Sequence, residues 1–218
     1  LLRGGQPYFI ASAGGVGASE VLAKAGGNSV RTGGADDIGP LLDEAHRLGM
    51  SVTVGIWLEH ERHGFDYNDP VKVAEQYEKA KAAILKYKDH PAVLMWGIGN
   101  EMEGEGNDAA IWSAINNIAS MENKLDPHHP TMTVIAEMGD QGQKVKNIHR
   151  LCPDIDIIGI NSYGGGPSVA ERYKQFGGVK PYIITEFGPN GTWEWGKNDF
   201  GAPPEFTSTQ KAGMYRAT

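Results

Sequence analysis

The chain has 218 residues, a formal charge of −7, 40% hydrophobic residues and 22% charged residues. That length can bury one sizeable core, so a single domain over residues 1–218 is expected, and the composition is that of a globular chain. The acidic balance argues against a nucleic-acid partner, which calls for clustered Lys and Arg, and no apolar run reaches the roughly 20 residues of a membrane span.

In chain order, short β-branched segments alternate with longer amphipathic ones. Strands are predicted at Tyr8–Ala13, Ser29–Thr32, Ser51–Trp57, Ala92–Gly99, Thr131–Ala136, Ile155–Ser162 and Tyr182–Glu186. Helices are predicted near Ser19–Ala25, Asp37–Leu48, Pro70–Tyr87, Asp108–Leu125, Gln141–Leu151 and Val169–Phe176, with a further helical pattern from about Thr207. Asn68 or Asp69 before Pro70 marks a helix start, and Gly26-Gly27 and Gly49 mark helix ends. Cys152 stands alone, which excludes an internal disulfide, and its apolar setting reads as packing. Leu1-Leu2-Arg3-Gly4-Gly5 lacks a signal peptide's apolar segment, so localisation stays open.

This β–α alternation is the pattern of right-handed βαβ units around a parallel sheet. A closed (β/α)8 barrel is favoured over an open doubly wound sheet, because the chemically loaded residues fall at the C-terminal ends of several different strands. Neither a dinucleotide-binding nor a P-loop glycine fingerprint is present. Only seven strands are legible, so the expected fold is an α/β barrel truncated after strand seven and the start of the next helix. The exposed edges would then be covered by rearrangement or by a second copy of the chain.

Two apolar strands close abruptly on carboxylates: Val93-Leu94-Met95-Trp96-Gly97-Ile98-Gly99-Asn100-Glu101 and Tyr182-Ile183-Ile184-Thr185-Glu186. A strict side-chain period of two puts Glu101 on one face with Gly97 and Gly99, and Glu186 with Ile184 and Tyr182. A pair of carboxyl groups across a barrel mouth is what glycosidic cleavage requires, one to protonate the leaving oxygen and one to attack the anomeric carbon. Arg31 and Tyr163, at the ends of the second and sixth strands, are candidate donors to Glu186. Either Glu taken singly also fits a solvated loop residue or a salt-bridge partner.

The segment Lys88-Asp89-His90-Pro91-Ala92-Val93-Leu94-Met95-Trp96-Gly97-Ile98-Gly99-Asn100-Glu101 resembles the acid/base segment of glycoside hydrolase family two. Gly27-Asn28-Ser29-Val30-Arg31-Thr32, Asp156-Ile157-Ile158-Gly159-Ile160-Asn161-Ser162-Tyr163 and Lys180-Pro181-Tyr182-Ile183-Ile184-Thr185-Glu186-Phe187-Gly188 continue the likeness in the same order over nearly the whole chain. The resemblance implies a retaining β-glycosidase acting on a β-linked saccharide without a cofactor. Glu101 would be the acid/base, Asn100 a sugar-hydroxyl ligand, and Glu186 the nucleophile oriented by Arg31 and Tyr163. It favours a secreted or periplasmic setting. The family's sandwich domains and its eighth strand are not recognisable in the sequence, so a non-catalytic sugar-binding barrel is the alternative.

The third-strand loop, Trp57-Leu58-Glu59-His60-Glu61-Arg62-His63-Gly64, offers Trp57 and His63 as sugar contacts. His60 to His63 is one residue short of the H-E-x-x-H zinc spacing, and no metal is expected there. Trp193 and Trp195 are candidate stacking platforms after the second carboxylate strand. Trp96 reads as core or inner wall, Trp112 as packing, and His128-His129 as part of a connection at the far end of the barrel.

Overall fold

A computed structural model describes residues 1–15, 17–191 and 196–217. Trp193 and Trp195, the candidate stacking platforms, lie outside the described residues. A small antiparallel pair, β1 (Leu2–Arg3) and β2 (Gln6–Pro7), precedes a seven-stranded parallel sheet. That sheet runs in sequence order through β3 (Ser12–Gly14), β4 (Ser29–Arg31), β5 (Ser51–Ile56), β6 (Val93–Asn100), β7 (Thr131–Ala136), β8 (Ile157–Tyr163) and β9 (Tyr182–Gly188). Between and after the strands lie α1 (Ser19–Lys24), α2 (Gly39–Arg47), α3 (Pro70–Tyr87), α4 (Ala109–Leu125), α5 (Gln143–Leu151), α6 (Val169–Gln175) and α7 (Ser208–Ala217). Among the described residues no strand follows β9, and β3 and β9 are the sheet's edges.

The sheet is curled into a nearly closed barrel. In a flat sheet β4 and β9, five strand spacings apart, would stand about 24 Å from one another. Yet Arg31 at the end of β4 hydrogen-bonds Glu186 on β9 at 3.0 Å. The fold is therefore the expected α/β barrel, with seven strands and helices on its outside.

Local sequence explains most element boundaries. Asp69, rather than Asn68, caps α3: its Oδ1 accepts from the backbone N–H groups of Val71 and Lys72 at 3.0 and 3.3 Å, ahead of Pro70 in the first turn. Asp108 caps α4 in the same way through Ala110 N–H at 2.7 Å. Helix α2 begins at Gly39, two residues after the expected Asp37, because Asp37 sits at φ +47 and cannot carry a right-handed helix. For the same reason α5 starts at Gln143, after left-handed Gly142.

The first expected strand is corrected most. Tyr8–Ala11 runs outside the ladder, held by the Asn28 side chain, whose amide donates to Phe9 O at 2.8 Å and accepts from Ala11 N–H at 2.9 Å. A side-chain amide thus replaces ladder bonds until Ser12. Tyr8 and Ile10 pack against Leu94, Met95, Met132, Val134 and Ile157, a small core inside the curl, while Phe9 between them is exposed. The larger core lies between sheet and helices and includes Val52, Val54, Trp96, Trp112 and Ile115. There Cys152 is fully buried, and burial pushes its thiol up to about 12, consistent with a packing role.

Strands β4 and β5 approach closely at Gly55, where a Cβ would stand 2.3 Å from Thr32 O. Only glycine fits at that contact, which draws the C-terminal strand ends together. No helix among the described residues is long and apolar enough to cross a membrane.

Candidate active site

The C-terminal ends of β4, β6, β8 and β9 bring together seven polar side chains in one hydrogen-bonded network. Arg31 uses both guanidinium arms: Nη1 donates to Glu186 Oε1 at 3.0 Å and Nη2 to Asn100 Oδ1 at 2.6 Å. Asn161 Nδ2 donates to Asn100 Oδ1 at 3.3 Å and to Glu101 Oε1 at 2.7 Å. Thr185 Oγ1 donates to Asn161 Oδ1 at 2.7 Å, which fixes the orientation of that amide. Tyr163 OH donates to the other oxygen of Glu186, Oε2, at 2.6 Å.

Each carboxylate is thereby aimed by neutral or cationic donors. Glu186 is flanked on one oxygen by a guanidinium and on the other by a phenol, both charge-assisted contacts. Tyr163 is held well above its ordinary range, first by burial, then by its hydrogen bond to Glu186, then by the negative charges of Glu186 and Glu101. It therefore stays a donor at neutral pH, and Arg31, Asn100 and Asn161 link the two carboxylates through hydrogen bonds.

The simple alternation expected for β6 is broken. Asn100 and Glu101, consecutive residues, both reach Asn161. The cause is a register irregularity between Gly97 and Asn100, with Gly99 at φ +70 and Glu101 at φ +53. Met102 closes over Gly99, where a Cβ would meet its Cγ at 2.7 Å, so this bend requires glycine. A similar shift between Ile160 and Asn161 pairs Asn161 with Glu186.

Of the residues proposed from sequence, Arg31, Asn100, Glu101, Tyr163 and Glu186 meet in this network. Trp57 and His63 do not take part in it. Trp57, 45% exposed, lies 5.3 Å ring to ring from His60 and lines a groove of about 310 Å³ with Asp36, Lys72 and Lys79. His63 is exposed on a short turn and lies 5.4 Å from His60. His60 itself is buried, and burial, followed by the positive charge of Arg62, lowers its pKa. Among the described residues no group of three or more His, Cys, Asp or Glu has an arrangement that could hold a metal ion.

Asn161 and Thr185 belong to strand segments of the sequence but carry no assigned role before the structure is known. Their signal was a polar residue inside an apolar strand, which burial makes costly unless it is hydrogen-bonded. A further carboxylate, Glu137, also follows a strand end at φ +52, but it is held by Arg172 of α6 at 2.7 Å and by Ser162 Oγ. At the far end of the barrel, Asp126 Oδ2 bonds Trp96 Nε1 at 2.9 Å and His129 Nδ1 at 2.8 Å, so Trp96 is core and His129 is a structural partner.

The family model for glycosyl hydrolases family 2, TIM barrel domain, matches residues 21–198. The chain belongs to glycosyl hydrolase family 2. A curated relative, a β-glucuronidase of Paenibacillus borealis, is 27% identical, with 74% of this chain and 29% of that protein covered. Among solved structures, the β-D-glucuronidase of Dictyoglomus thermophilum superposes with a TM-score of 0.68 at 19% identity, covering 98% of this chain and 41% of that one. A family 2 β-galacturonidase from Eisenbergiella tayi, bound to galacturonate, gives 0.66 at 16% identity, covering 90% and 35%. The chain thus spans about a third of the length of these family 2 relatives, and at such identities the solved structures speak for the fold.

Proposed function

We propose that this family 2 barrel is a retaining β-glycosidase, with Glu186 as nucleophile and Glu101 as acid/base. In the first step a Glu186 oxygen bonds the anomeric carbon as the bond to the aglycone breaks, and the Glu101 proton passes to the leaving oxygen. In the second, Glu101 takes a proton from water, which attacks that carbon and releases Glu186. The observation that carries this reading is the two-sided grip on Glu186 by Arg31 and Tyr163, beside a Glu101 anchored separately through Asn161. A carboxylate gripped on both oxygens by cationic and phenolic donors, and a second one held by an amide, fit the division of labour the reaction needs.

The substrate is proposed to be a β-linked saccharide. Because named relatives act on β-glucuronides and a β-galacturonide, uronic acid glycosides come first in the test panel. Asn100, oriented by Arg31 and Asn161, is proposed to bind the hydroxyl beside the reacting carbon, with Trp57 and His63 as sugar contacts farther out. The described barrel is proposed to act as one domain, and the edges β3 and β9 as a surface that a second copy can cover.

The test is a panel of nitrophenyl β-glycosides bearing glucuronate, galacturonate, galactose, glucose and mannose. Turnover of one by wild type is expected, Glu186→Ala should lose it by at least about 1,000-fold, and azide should restore part. Unchanged activity in Glu186→Ala eliminates the assignment. Sugar binding without turnover in the wild-type chain selects the alternative of a non-catalytic barrel.

A further inference from the structure

Glu101 follows β6 in a left-handed conformation, φ +53, which is strained for a non-glycine residue. Such a conformation persists only where its surroundings enforce it. Its own N–H donates to Val134 O on β7 at 2.9 Å. Two residues on, Glu103 Oε1 accepts from Ala136 N–H, at the end of the same strand, at 2.9 Å. Lys144, from the first turn of α5, donates through Nζ to that Glu103 oxygen at 2.9 Å and to Ala136 O at 2.7 Å. Glu103 and Lys144 are only 4% and 7% exposed. The ring closes on the far side as well: Gly106 N–H donates to Glu103 O, and a Cβ on Gly106 would stand 2.9 Å from Lys144 Cγ, so the loop lies flush on the lysine stem.

A buried ion pair is a poor source of net stability, since desolvating both charges offsets their attraction. Burial pushes the Glu103 carboxyl up, against the pull of Lys144 and backbone N–H groups. What this pair supplies is a fixed location: it ties the residues after Glu101 to β7, while Val134 ties Glu101 itself.

We propose that Glu103 and Lys144 are positioning residues for the acid/base carboxyl, holding the strained turn that points Glu101 at Asn161. The inference rests on the reading of Glu101 given above. Neither residue touches the reacting atoms; both act through the backbone of residues 101–103.

Two variants test it. Glu103→Asp keeps the charge and the fold but shortens the tether by one methylene, and the double variant Glu103→Leu, Lys144→Met removes the tether without leaving a charge buried alone. The substrates are the phenyl and dinitrophenyl β-glycosides of the sugar that wild type turns over best. A phenyl leaving group needs the proton from Glu101 and a dinitrophenyl group scarcely does. Both variants should therefore lose about 30-fold or more in kcat/KM on the phenyl substrate and less than about threefold on the dinitrophenyl one, at near-wild-type Tm for Glu103→Asp. Equal losses on both substrates, or none, overturn the proposal.

Glu101→Ala run in parallel separates the two readings. If it lacks the leaving-group dependence, the assignment of Glu101 fails. If it shows the dependence while Glu103→Asp does not, only the positioning role fails. Should wild type cleave neither substrate, hydrogen exchange decides: in Glu103→Asp the Glu101 amide should exchange at least about tenfold faster while amides of β5 keep their protection, and an unchanged Glu101 amide refutes the idea.

Discussion

Tyr163 and Arg31 grip Glu186 from opposite oxygens, but they are not equivalent. The phenol contributes one short charge-assisted bond, worth about 1.5–3 kcal/mol where it acts on a charged partner. Tyr163→Phe should therefore reduce kcat/KM by about 10- to 100-fold, measured on an aryl glycoside, with little change in Tm. Because burial and the two carboxylates hold the phenol's pKa up, the phenol should keep its donor proton from neutral pH into the alkaline range where an ordinary tyrosine ionises. Arg31 serves two acceptors at once, a fork that a lysine's single ammonium cannot reproduce. Glu101 and Glu186 were legible in the sequence because a carboxylate closing an apolar strand is a conspicuous break in pattern. Asn161 was harder to assign, since a mid-strand amide acquires meaning only once the curl brings Glu101 at the end of β6 and Thr185 of β9 within its reach. Glu103 and Lys144 were illegible for the same reason: their contact spans 41 residues and depends on where a loop folds back.

Helices and strands were readable to within a residue or two wherever apolar periodicity met a cap, as at α3 and α4. They were misread where a side chain substitutes for backbone pairing, as Asn28 does beside Tyr8–Ala11. Helix α4 carries a second feature beyond sequence reach. Glu122, on its inner face, is fully buried, and neither carboxyl oxygen has a hydrogen-bond partner among the described residues. Burial, with Asp126 and Asp156 nearby, pushes its carboxyl from 4.5 up to about 9. The folded chain thus keeps a proton that the unfolded chain releases above about pH 4.5. Since the native state binds more protons across that window, stability falls as pH rises from about 4.5 to 9 and levels off beyond it. The loss amounts to about 3 kcal/mol by pH 7. Glu122→Met should remove that slope and raise stability at about pH 8.5 relative to wild type, as denaturant unfolding at about pH 5 and pH 8.5 would show; an unaltered slope would refute it.

For the whole molecule, sequence order alone pointed to a parallel barrel, and the sheet obeys it strand by strand. Protection should nonetheless be uneven. Strand β5 is buried along its whole length between two neighbours, whereas β3 is three exposed residues at an edge. Hydrogen exchange should find the amides of Ser12–Gly14 fastest among the seven strands and those of Ser51–Ile56 among the slowest; uniform protection across the sheet would contradict the arrangement described. The bond between Arg31 and Glu186 joins residues 155 positions apart and bridges the short way round the curl, over the gap between β3 and β9. In the proposed reaction Glu186 becomes an uncharged ester partway through, leaving the guanidinium nothing ionic to hold on that side. The buckle of the ring and the reacting group are one and the same side chain, so each catalytic cycle would loosen the girdle of strands and fasten it again.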